Sequence, residues 1–235
     1  MKAGIMQPYF FPYLGYFQLI HAVDRFILFD DVQYIRHGWI NRNRILKPAE
    51  GNQYIVLPIA EHNRDTKIKD IVAKDGNDWK DKIIRQTEHY KKRAPHYAAV
   101  QDLLQRCFDL TDTNVTRLNG YYLKLVCDYI GIDFKIEISS EMNYDYTGVN
   151  DAGEWALRIS EQIGATTYIN PPGGVDLFDP AKFRNSNIEL QFIHPQLTPY
   201  SQKRDTFEAG MSIIDVLMFN APDIVQAMLK DYTLS

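Results

Sequence analysis

Two adjacent carboxylates and one imidazole are the groups in this chain best suited to moving protons. Asp30 and Asp31 follow the predicted strand 25–29, and His37 lies six residues further on. Two carboxylates held close together raise the pKa of one of them, which can then act as a general base. Histidine titrates near neutral pH and is a common proton carrier in enzymes. We therefore predict Asp30, Asp31 and His37 as catalytic candidates, while a plain strand-to-loop turn is the alternative for the Asp pair.

The segment 38–44, which reads GWINRNR, is dense in planar hydrogen-bonding groups. Arginine binds phosphate or carboxylate through a two-pronged guanidinium. If the segment is a strand, Asn41 and Asn43 face one side and Arg42 and Arg44 the other. We predict that Asn41, Arg42 and Asn43 contact a ligand. A solvated edge strand that carries charge is the alternative.

The loop and helix start at 7–16 resemble a nucleotide-binding turn. One superfamily of nucleotidyl-transferring α/β proteins carries His-x-Gly-His where this chain reads Tyr13-Leu14-Gly15-Tyr16. The glycine would let a phosphate approach the backbone, and a helix N-terminus attracts anions. Tyrosine is a poor proton carrier at neutral pH, so nucleotide binding is expected and adenylyl transfer is in doubt. Packing of the helix on the sheet is the alternative role for the rings. The nucleotide-binding candidates are Gln7, Tyr9, Tyr13, Gly15 and Tyr16.

Two segments further along add weaker candidates. Gly173 and Gly174 follow the predicted strand 167–169, where a double glycine lets the backbone approach a ligand, although an ordinary turn also uses one. Tyr200 and Gln202 follow the last predicted strand of the sheet. We predict that all four residues contribute to ligand binding.

The hydrophobic pattern predicts strands alternating with helices. The first 30 residues read as strand, loop, helix and strand, which is the length of a βαβ unit. Alternation favours an α/β fold with a largely parallel sheet, and with the turn at 13–16 it suggests a Rossmann-like, nucleotidyltransferase-type core. We predict this core over 1–78 and 131–235, with 79–130 as a helical insertion. The predicted strands are 3–6, 25–29, 54–59, 68–72, 134–139, 167–169 and 188–193. The predicted helices are 14–23, two pieces within 79–109, 114–130, 151–163, 212–219 and 223–229.

Composition narrows the classes of protein. The formal net charge of −4 over 235 residues argues against a general nucleic-acid or membrane-surface binder. Cys107 and Cys127 are too few and too isolated for a disulfide framework, and neither they nor the histidines have metal-ligand spacing, so no metal is expected. Two prolines interrupt the first apolar run, which is unlike a secretory signal. We predict a cytoplasmic protein with no membrane attachment.

Together, these motifs give the chain a resemblance to the WbqC-like family. The resemblance runs nearly end to end and rests on 6–12, 15–17, 24–26, 30–32, 38–44, 168–169, 200–202 and 212–217. Genes of this family lie in bacterial O-antigen and capsule clusters, so the resemblance implies a role in assembling surface polysaccharide such as lipopolysaccharide. It supplies no catalytic residues.

That context implies chemistry on a nucleotide-linked amino sugar. The expected reaction is acyl or aminoacyl transfer, for example of a glycyl group, to the sugar amine. An aminoacyl-tRNA or an acyl carrier is then a candidate donor, and no other cofactor is implied. ATP-dependent activation of a small acid is one alternative, and a non-catalytic protein that holds a nucleotide sugar during assembly is another.

Overall fold

A five-stranded sheet forms the centre of the protein. The computed structural model describes residues 1–76 and 78–235. The strands lie in the order β2-β1-β5-β6-β7, in which the first four are parallel and β7 is antiparallel to β6. Ile5 of β1 pairs with Ile27 of β2, and Gly4 pairs with Ile169 of β5. The strands are β1 (Lys2–Met6), β2 (Arg25–Leu28), β5 (Thr167–Asn170), β6 (Glu189–Pro195) and β7 (Tyr232–Leu234).

Eight α-helices and a separate hairpin accompany the sheet in the described residues. The hairpin consists of β3 (Arg42–Leu46) and β4 (Asn52–Val56), paired in antiparallel fashion. The helices are α1 (Leu14–Ala22), α2 (Asp78–Thr87), α3 (Tyr97–Phe108), α4 (Val115–Ile130), α5 (Glu154–Gln162), α6 (Pro180–Asn185), α7 (Ile213–Phe219) and α8 (Pro222–Met228). The prediction of α4 is confirmed at both ends, because Asn114 caps its start and Gly131 ends it in the left-handed conformation.

Two hydrophobic clusters cover the two faces of the sheet. The larger one joins α1, α3, α4 and α7 with the buried face of the hairpin. The smaller one lies under α5 and α6 and includes Ile5, Ile27 and Tyr168. Neighbouring residues of β1 and β2 contribute to opposite clusters, because successive side chains of a strand point to opposite faces. Both faces of the sheet are therefore covered, which explains the continuous apolar runs in its strands.

Two predicted strands are wrong. Residues 68–72 form the short 3₁₀-helix Ile68–Asp70, which places Ile68 inwards and leaves Lys69 free to reach a carboxylate. Residues 134–139 run beside the edge of β2 with a single bridge, Leu28 to Ile138, and their alternating pattern reflects this one-sided packing. The pattern also missed α6 and β7, which are short elements of six and three residues.

The α/β class and the mostly parallel sheet are confirmed, and the sheet is consistent with a Rossmann-like core. The assignment to the nucleotidyltransferase superfamily and the division at 79–130 stay predictions. No helix within residues 1–76 and 78–235 combines the length and apolar character needed to cross a bilayer.

Candidate functional site

A cleft of about 630 Å³ opens at the carboxyl ends of the parallel strands. The chain leaves β1 to form β2 on one side, while β5 and β6 extend the sheet on the other. Ligands of open α/β sheets bind at such a switch point, beyond the carboxyl ends of the strands. Met6 at the end of β1 and Asn170 at the end of β5 both line this cleft.

The lining of the cleft is mostly apolar, with five aromatic residues and three side-chain amides among it. None of the described residues that line it carries a charge. A site of this type suits a neutral, hydroxyl-bearing ring or a planar base, since rings stack on aromatic faces and amides bond hydroxyl and carbonyl groups. The lining includes Gln7, Tyr9, Phe29, Gln33, Ile35, Trp155, Asn170, Gly173 and Gly174.

Two of the amides differ in how firmly the protein holds them. Asn170 accepts a hydrogen bond from the Tyr168 hydroxyl at 2.8 Å and donates one to the Pro171 carbonyl at 2.8 Å. The side chain of Gln7 has no hydrogen-bond partner among the described residues, whereas its carbonyl accepts from the Tyr16 hydroxyl. Asn170 is thus fixed, and Gln7 has its full bonding capacity available to a ligand.

Aromatic rings form one wall of the cleft. Trp155 of α5 lies 5.7 Å from the Phe29 ring and 4.7 Å from the Tyr146 ring, measured between centroids. Gly153, just before α5, lies so close to the backbone of Leu177 that an added Cβ would be 2.2 Å from its carbonyl oxygen. This close approach brings α5 against the 172–177 segment, and both flank the cleft.

Four of the predicted site residues therefore lie together in the cleft: Gln7, Tyr9, Gly173 and Gly174. Sequence reasoning missed Phe29, Gln33, Trp155 and Asn170. Asn170 could have been found as the first polar residue at the end of a buried strand. Nothing in the helical pattern of α5 marks Trp155 as a lining residue.

The glycine turn at the start of α1 has a packing role, which corrects the expectation of a phosphate contact there. A Cβ at Gly15 would lie 2.5 Å from the Tyr13 ring, so that ring already occupies the space a phosphate would need. Tyr16 is buried, and its hydroxyl donates to the Gln7 carbonyl at 2.8 Å. Burial raises the pKa of the Tyr13 hydroxyl above its ordinary value. It raises the pKa of the more deeply buried Tyr16 well above that value.

The acidic pair lies in a buried hydrogen-bond network rather than in the cleft. Ser140 donates to Asp30 through its amide at 3.1 Å and its hydroxyl at 2.9 Å. Asp31 accepts from the Tyr146 hydroxyl at 2.7 Å and from Lys69 at 3.1 Å. The network joins the end of β2 to the turn at Ser139–Glu141, which is why both acids are nearly inaccessible to solvent.

The two carboxylates titrate differently. Burial raises the pKa of Asp30 above its ordinary value, although hydrogen bonds from Ser140 and Ser139 oppose the shift. Burial also acts on Asp31, but the hydrogen bonds from Tyr146, Ser139 and Lys69 outweigh it and lower the pKa of that carboxyl. Asp31 therefore carries the charge that pairs with Lys69.

His37 occupies an exposed loop next to the cleft. Ile35, two residues earlier, lines the cleft, and His37 has a positive φ of 66°. The Arg42 guanidinium donates to the carbonyls of His37 and Gly38, the latter at 3.3 Å. An L-residue at positive φ costs free energy, so these bonds from Arg42 hold the loop in an otherwise unfavourable shape.

The two predicted asparagines fasten loops together. Asn43 is buried and donates to the carbonyls of Phe10 and Phe11 at 3.1 and 2.9 Å. Asn41 accepts from the Tyr34 hydroxyl at 2.9 Å and donates to the Leu57 carbonyl at 3.0 Å. Both side-chain amides are hydrogen-bonded to other groups of the protein.

Tyr200 and Gln202 belong to a buried cluster around Asp215, an acid that the sequence analysis did not single out. Asp215 accepts from the hydroxyls of Tyr90 and Tyr200, each at 2.6 Å, and from the Gln202 amide at 3.0 Å. Burial raises its pKa, against the effect of these bonds. The spacing Ser212-x-x-Asp215 at the start of α7 is typical of a helix cap and could have drawn attention to it.

The expectation that the glycine turn, the acidic pair and the Asn/Arg segment converge on one cleft is therefore wrong. The side chains of Tyr13, Tyr16, Asp30, Asp31, Asn41, Arg42 and Asn43 are engaged in packing or in hydrogen bonds within the protein, whereas Arg44 makes no hydrogen bond with its side chain in the described residues. Among residues 1–76 and 78–235, no group of three or more His, Cys, Asp and Glu side chains is arranged to hold a metal ion.

Comparison with known proteins places the chain in a family. The model of the WbqC-like protein family matches residues 7–227. The chain is also 33% identical over 232 residues to the "Uncharacterized protein Rv1507c" of Mycobacterium tuberculosis (strain ATCC 25618 / H37Rv), a match that covers 96% of this chain and 97% of the relative. No solved structure matches it. The chain belongs to the WbqC-like protein family.

Proposed function

We propose that the protein binds a nucleotide-linked amino sugar in the cleft between β1 and β5 and transfers an acyl or aminoacyl group to the sugar amine, as a step in surface-polysaccharide assembly. The observation that carries this proposal is the composition of the cleft. It lies at the switch point of the sheet, it is lined by rings and side-chain amides without a charged group, and the Gln7 amide in it is unspent.

The sugar ring is the part of such a ligand that fits this lining. Trp155 and Tyr9 offer faces on which a pyranose can stack, and the Gln7 amide offers donors and an acceptor for hydroxyl groups. Asn170 adds the N–H and the lone pair that its two internal bonds leave over. Gly173 has no other atom near the position of an added Cβ, so the ligand can approach its backbone. A site of these polar groups on an apolar floor is typical of small-molecule clefts.

Among the three acid–base candidates, His37 is the one whose position suits the reaction. The carboxylates of Asp30 and Asp31 do not line the cleft, and both accept hydrogen bonds from neighbouring side chains or amides. The His37 imidazole is exposed, and the loop that carries it contributes Gln33 and Ile35 to the cleft. Asp30 and Asp31 then have a positioning role at the root of that loop.

The transfer itself requires one proton acceptor and a donor for the developing oxyanion. The sugar amine attacks the carbonyl carbon of the acyl donor, a nitrogen–carbon bond forms, and the bond from that carbon to the donor's leaving group breaks. The leaving group departs with the bonding electron pair, and the imidazole of His37 takes the proton from the amine. The Gln7 amide, which lines the cleft and makes no side-chain hydrogen bond within the described residues, is the N–H donor for the oxyanion in this proposal.

The test combines the protein with UDP- and dTDP-linked amino sugars and either glycyl-tRNA or an acyl-carrier thioester, followed by mass spectrometry of the sugar nucleotide. The proposal expects a mass gain equal to the acyl group, abolished in His37→Ala. Binding of the sugar nucleotide without a mass gain for any donor would contradict the transfer step. Absence of binding would contradict the proposal as a whole.

A second candidate is a non-catalytic protein that holds the nucleotide sugar for another enzyme. The uncharged lining of the cleft favours it, because acid–base groups usually lie within an active-site pocket. This candidate expects that the His37→Ala variant binds the sugar nucleotide with unchanged affinity and supports polysaccharide assembly in cells as well as the wild type does.

A further inference from the structure

The cleft presents a problem of charge for the ligand proposed above. A nucleotide sugar carries a diphosphate, and anions bind to arginine, lysine or helix N-termini. No charged residue lines the cleft in the described part of the chain. The diphosphate must therefore lie outside the cavity, against cations close to its rim.

One face of the β3–β4 hairpin offers such cations. Between Val32 and Ala49 the chain has four basic residues and no acidic one: Arg36, Arg42, Arg44 and Lys47. Arg42 and Arg44 lie two residues apart on β3, so they point to the same side and stand about 7 Å apart. On the opposite side of the strand, Asn43 and Ile45 are buried.

Aromatic rings accompany both arginines. The Arg42 guanidinium lies 4.5 Å from the centre of the Tyr54 ring, and that of Arg44 lies 5.5 Å from the Trp39 ring. Tyr54 and Trp39 are both among the exposed large side chains of the molecule. We call this set of four side chains, Trp39, Arg42, Arg44 and Tyr54, the hairpin platform.

Apart from its contact with the Trp39 ring, the Arg44 guanidinium makes no hydrogen bond within the described residues. Its Nε is buried without a hydrogen-bond partner in the described residues, and no described carboxylate forms an ion pair with it. The guanidinium therefore keeps its charge and its terminal N–H groups available for an anion. Arg42, by contrast, already donates to the carbonyls of His37 and Gly38.

The hairpin platform is joined directly to the cleft. Tyr9 lines the cleft, and the amide of the next residue, Phe10, donates to the Trp39 carbonyl at 2.9 Å. The Cα atoms of Tyr9 and Trp39 are therefore within about 9 Å of each other. Asn119 fixes this arrangement, because its amide donates to the carbonyls of Pro8 and Ile40 at 2.8 and 2.7 Å.

From these observations we infer that the hairpin platform binds the nucleoside diphosphate portion of the ligand while the sugar enters the cleft. Arg44 binds the phosphate oxygens with its free guanidinium, Arg42 adds positive charge, and Trp39 or Tyr54 stacks with the base. This inference rests on the proposed function for the sugar, but the platform can be tested with the nucleotide alone. Two cations and two rings match one nucleotide, whereas the net charge of −4 gives no general attraction for RNA.

The first experiment isolates the hairpin platform by fluorescence. Of the three tryptophans, Trp79 is buried, so in Trp155→Phe the response to a surface ligand comes from Trp39. We expect UDP to quench this fluorescence and inorganic pyrophosphate to compete. Arg44→Gln should weaken UDP binding at least tenfold. Arg106→Gln, which removes the same charge from an exposed position on α3, should leave it unchanged.

Three results would overturn the inference: no quenching by UDP, equal UDP affinity in the Arg44→Gln and Arg106→Gln proteins, or tighter binding of a short oligoribonucleotide than of UDP. Calorimetry with a UDP-linked amino sugar separates this inference from the proposed function. If the affinity for the sugar nucleotide depends on Gln7 and not on Arg44, the hairpin platform is not the nucleotide site, but the cleft is still the sugar site. If the affinity depends on Arg44 and the sugar nucleotide binds no more tightly than UDP alone, the platform binds the nucleotide, but the cleft is not the sugar site.

Discussion

The Ser139 hydroxyl lies between Asp30 and Asp31, with its oxygen 3.0 Å from one carboxylate and 2.8 Å from the other. A hydroxyl has one proton to donate, so it satisfies only one of the two at a time. The opposite directions of the two pKa shifts agree with this geometry: Asp30 is the carboxyl that more readily holds a proton, and Asp31 is the one that stays charged.

Opposite shifts predict opposite effects on stability as pH changes. The lowered pKa of Asp31 contributes stability above the unfolded value near 4, and this is lost as pH falls through the folded pKa. The raised pKa of Asp30 contributes stability below about 4, and this is lost as pH rises through the folded pKa. In Asp30→Asn, the free energy of unfolding should therefore rise more steeply with pH between pH 3 and 6. In Asp31→Asn, the free energy of unfolding should rise less steeply over that range, or fall.

Urea denaturation at several pH values measures these slopes, which are informative even if either substitution lowers stability at every pH. A change of slope in the same sense in both variants would contradict the assignment of charge to Asp31.

The cluster around Asp215 predicts strong effects for two hydroxyl deletions. Tyr90→Phe or Tyr200→Phe removes one donor from a buried carboxylate and should cost about 1.5–3 kcal/mol of unfolding free energy each. The two losses should not add, since both hydroxyls serve the same carboxylate. Denaturant unfolding checks this, with Tyr232→Phe as a control because its hydroxyl has no partner among the described residues. Costs no larger than that of the control would mean that the cluster is not formed.

Two glycines beside the cleft should respond differently to alanine. Gly153→Ala places a Cβ 2.2 Å from the Leu177 carbonyl oxygen, so α5 must move, at a cost of about 1–3 kcal/mol. Gly173→Ala meets no atom within 4 Å and should change stability by less than about 0.5 kcal/mol. Thermal unfolding compares them directly. Equal stability of the two variants would argue against the close approach of α5 to the 172–177 segment.

The clamp made by Asn119 predicts a link between stability and binding. Asn119→Ala leaves the carbonyls of Pro8 and Ile40 unpaired in a buried place, at a cost of about 1–3 kcal/mol for each. The loop that carries Gln7 and Tyr9 then loses its fixed position, so sugar-nucleotide affinity should fall while the protein is still folded. Calorimetry at a temperature well below unfolding measures that affinity, and an unchanged value would show that the clamp does not position the cleft.

Local patterns were sufficient to predict most of the elements, because the core strands are continuous apolar runs and α4 carries signals at both ends. The pattern failed at 68–72 and 134–139, where the chain packs on one side only, and that resembles an edge strand in sequence. Cleft residues at strand ends, such as Gln7, could be predicted from the switch-point rule.

The roles of the polar residues could not be predicted in the same way. Asn43 and Asn41 have the side chains of a binding site, but the carbonyls that occupy them come from distant segments such as 10–11 and 57. The residue types alone do not say whether an amide faces a ligand or a loop. Trp155 lines the cleft beside the 172–177 segment, which α5 approaches at Gly153, and this is a tertiary contact that the sequence pattern does not show.

Calorimetric titration of a UDP- or dTDP-linked amino sugar into the wild-type and Gln7→Ala proteins decides whether the cleft binds the ligand. We expect saturable binding of at least one such ligand by the wild type and a loss of about tenfold or more in affinity for Gln7→Ala. Equal affinity of the two proteins, or no binding by the wild type, would contradict the claim that the cleft between β1 and β5 is the ligand site.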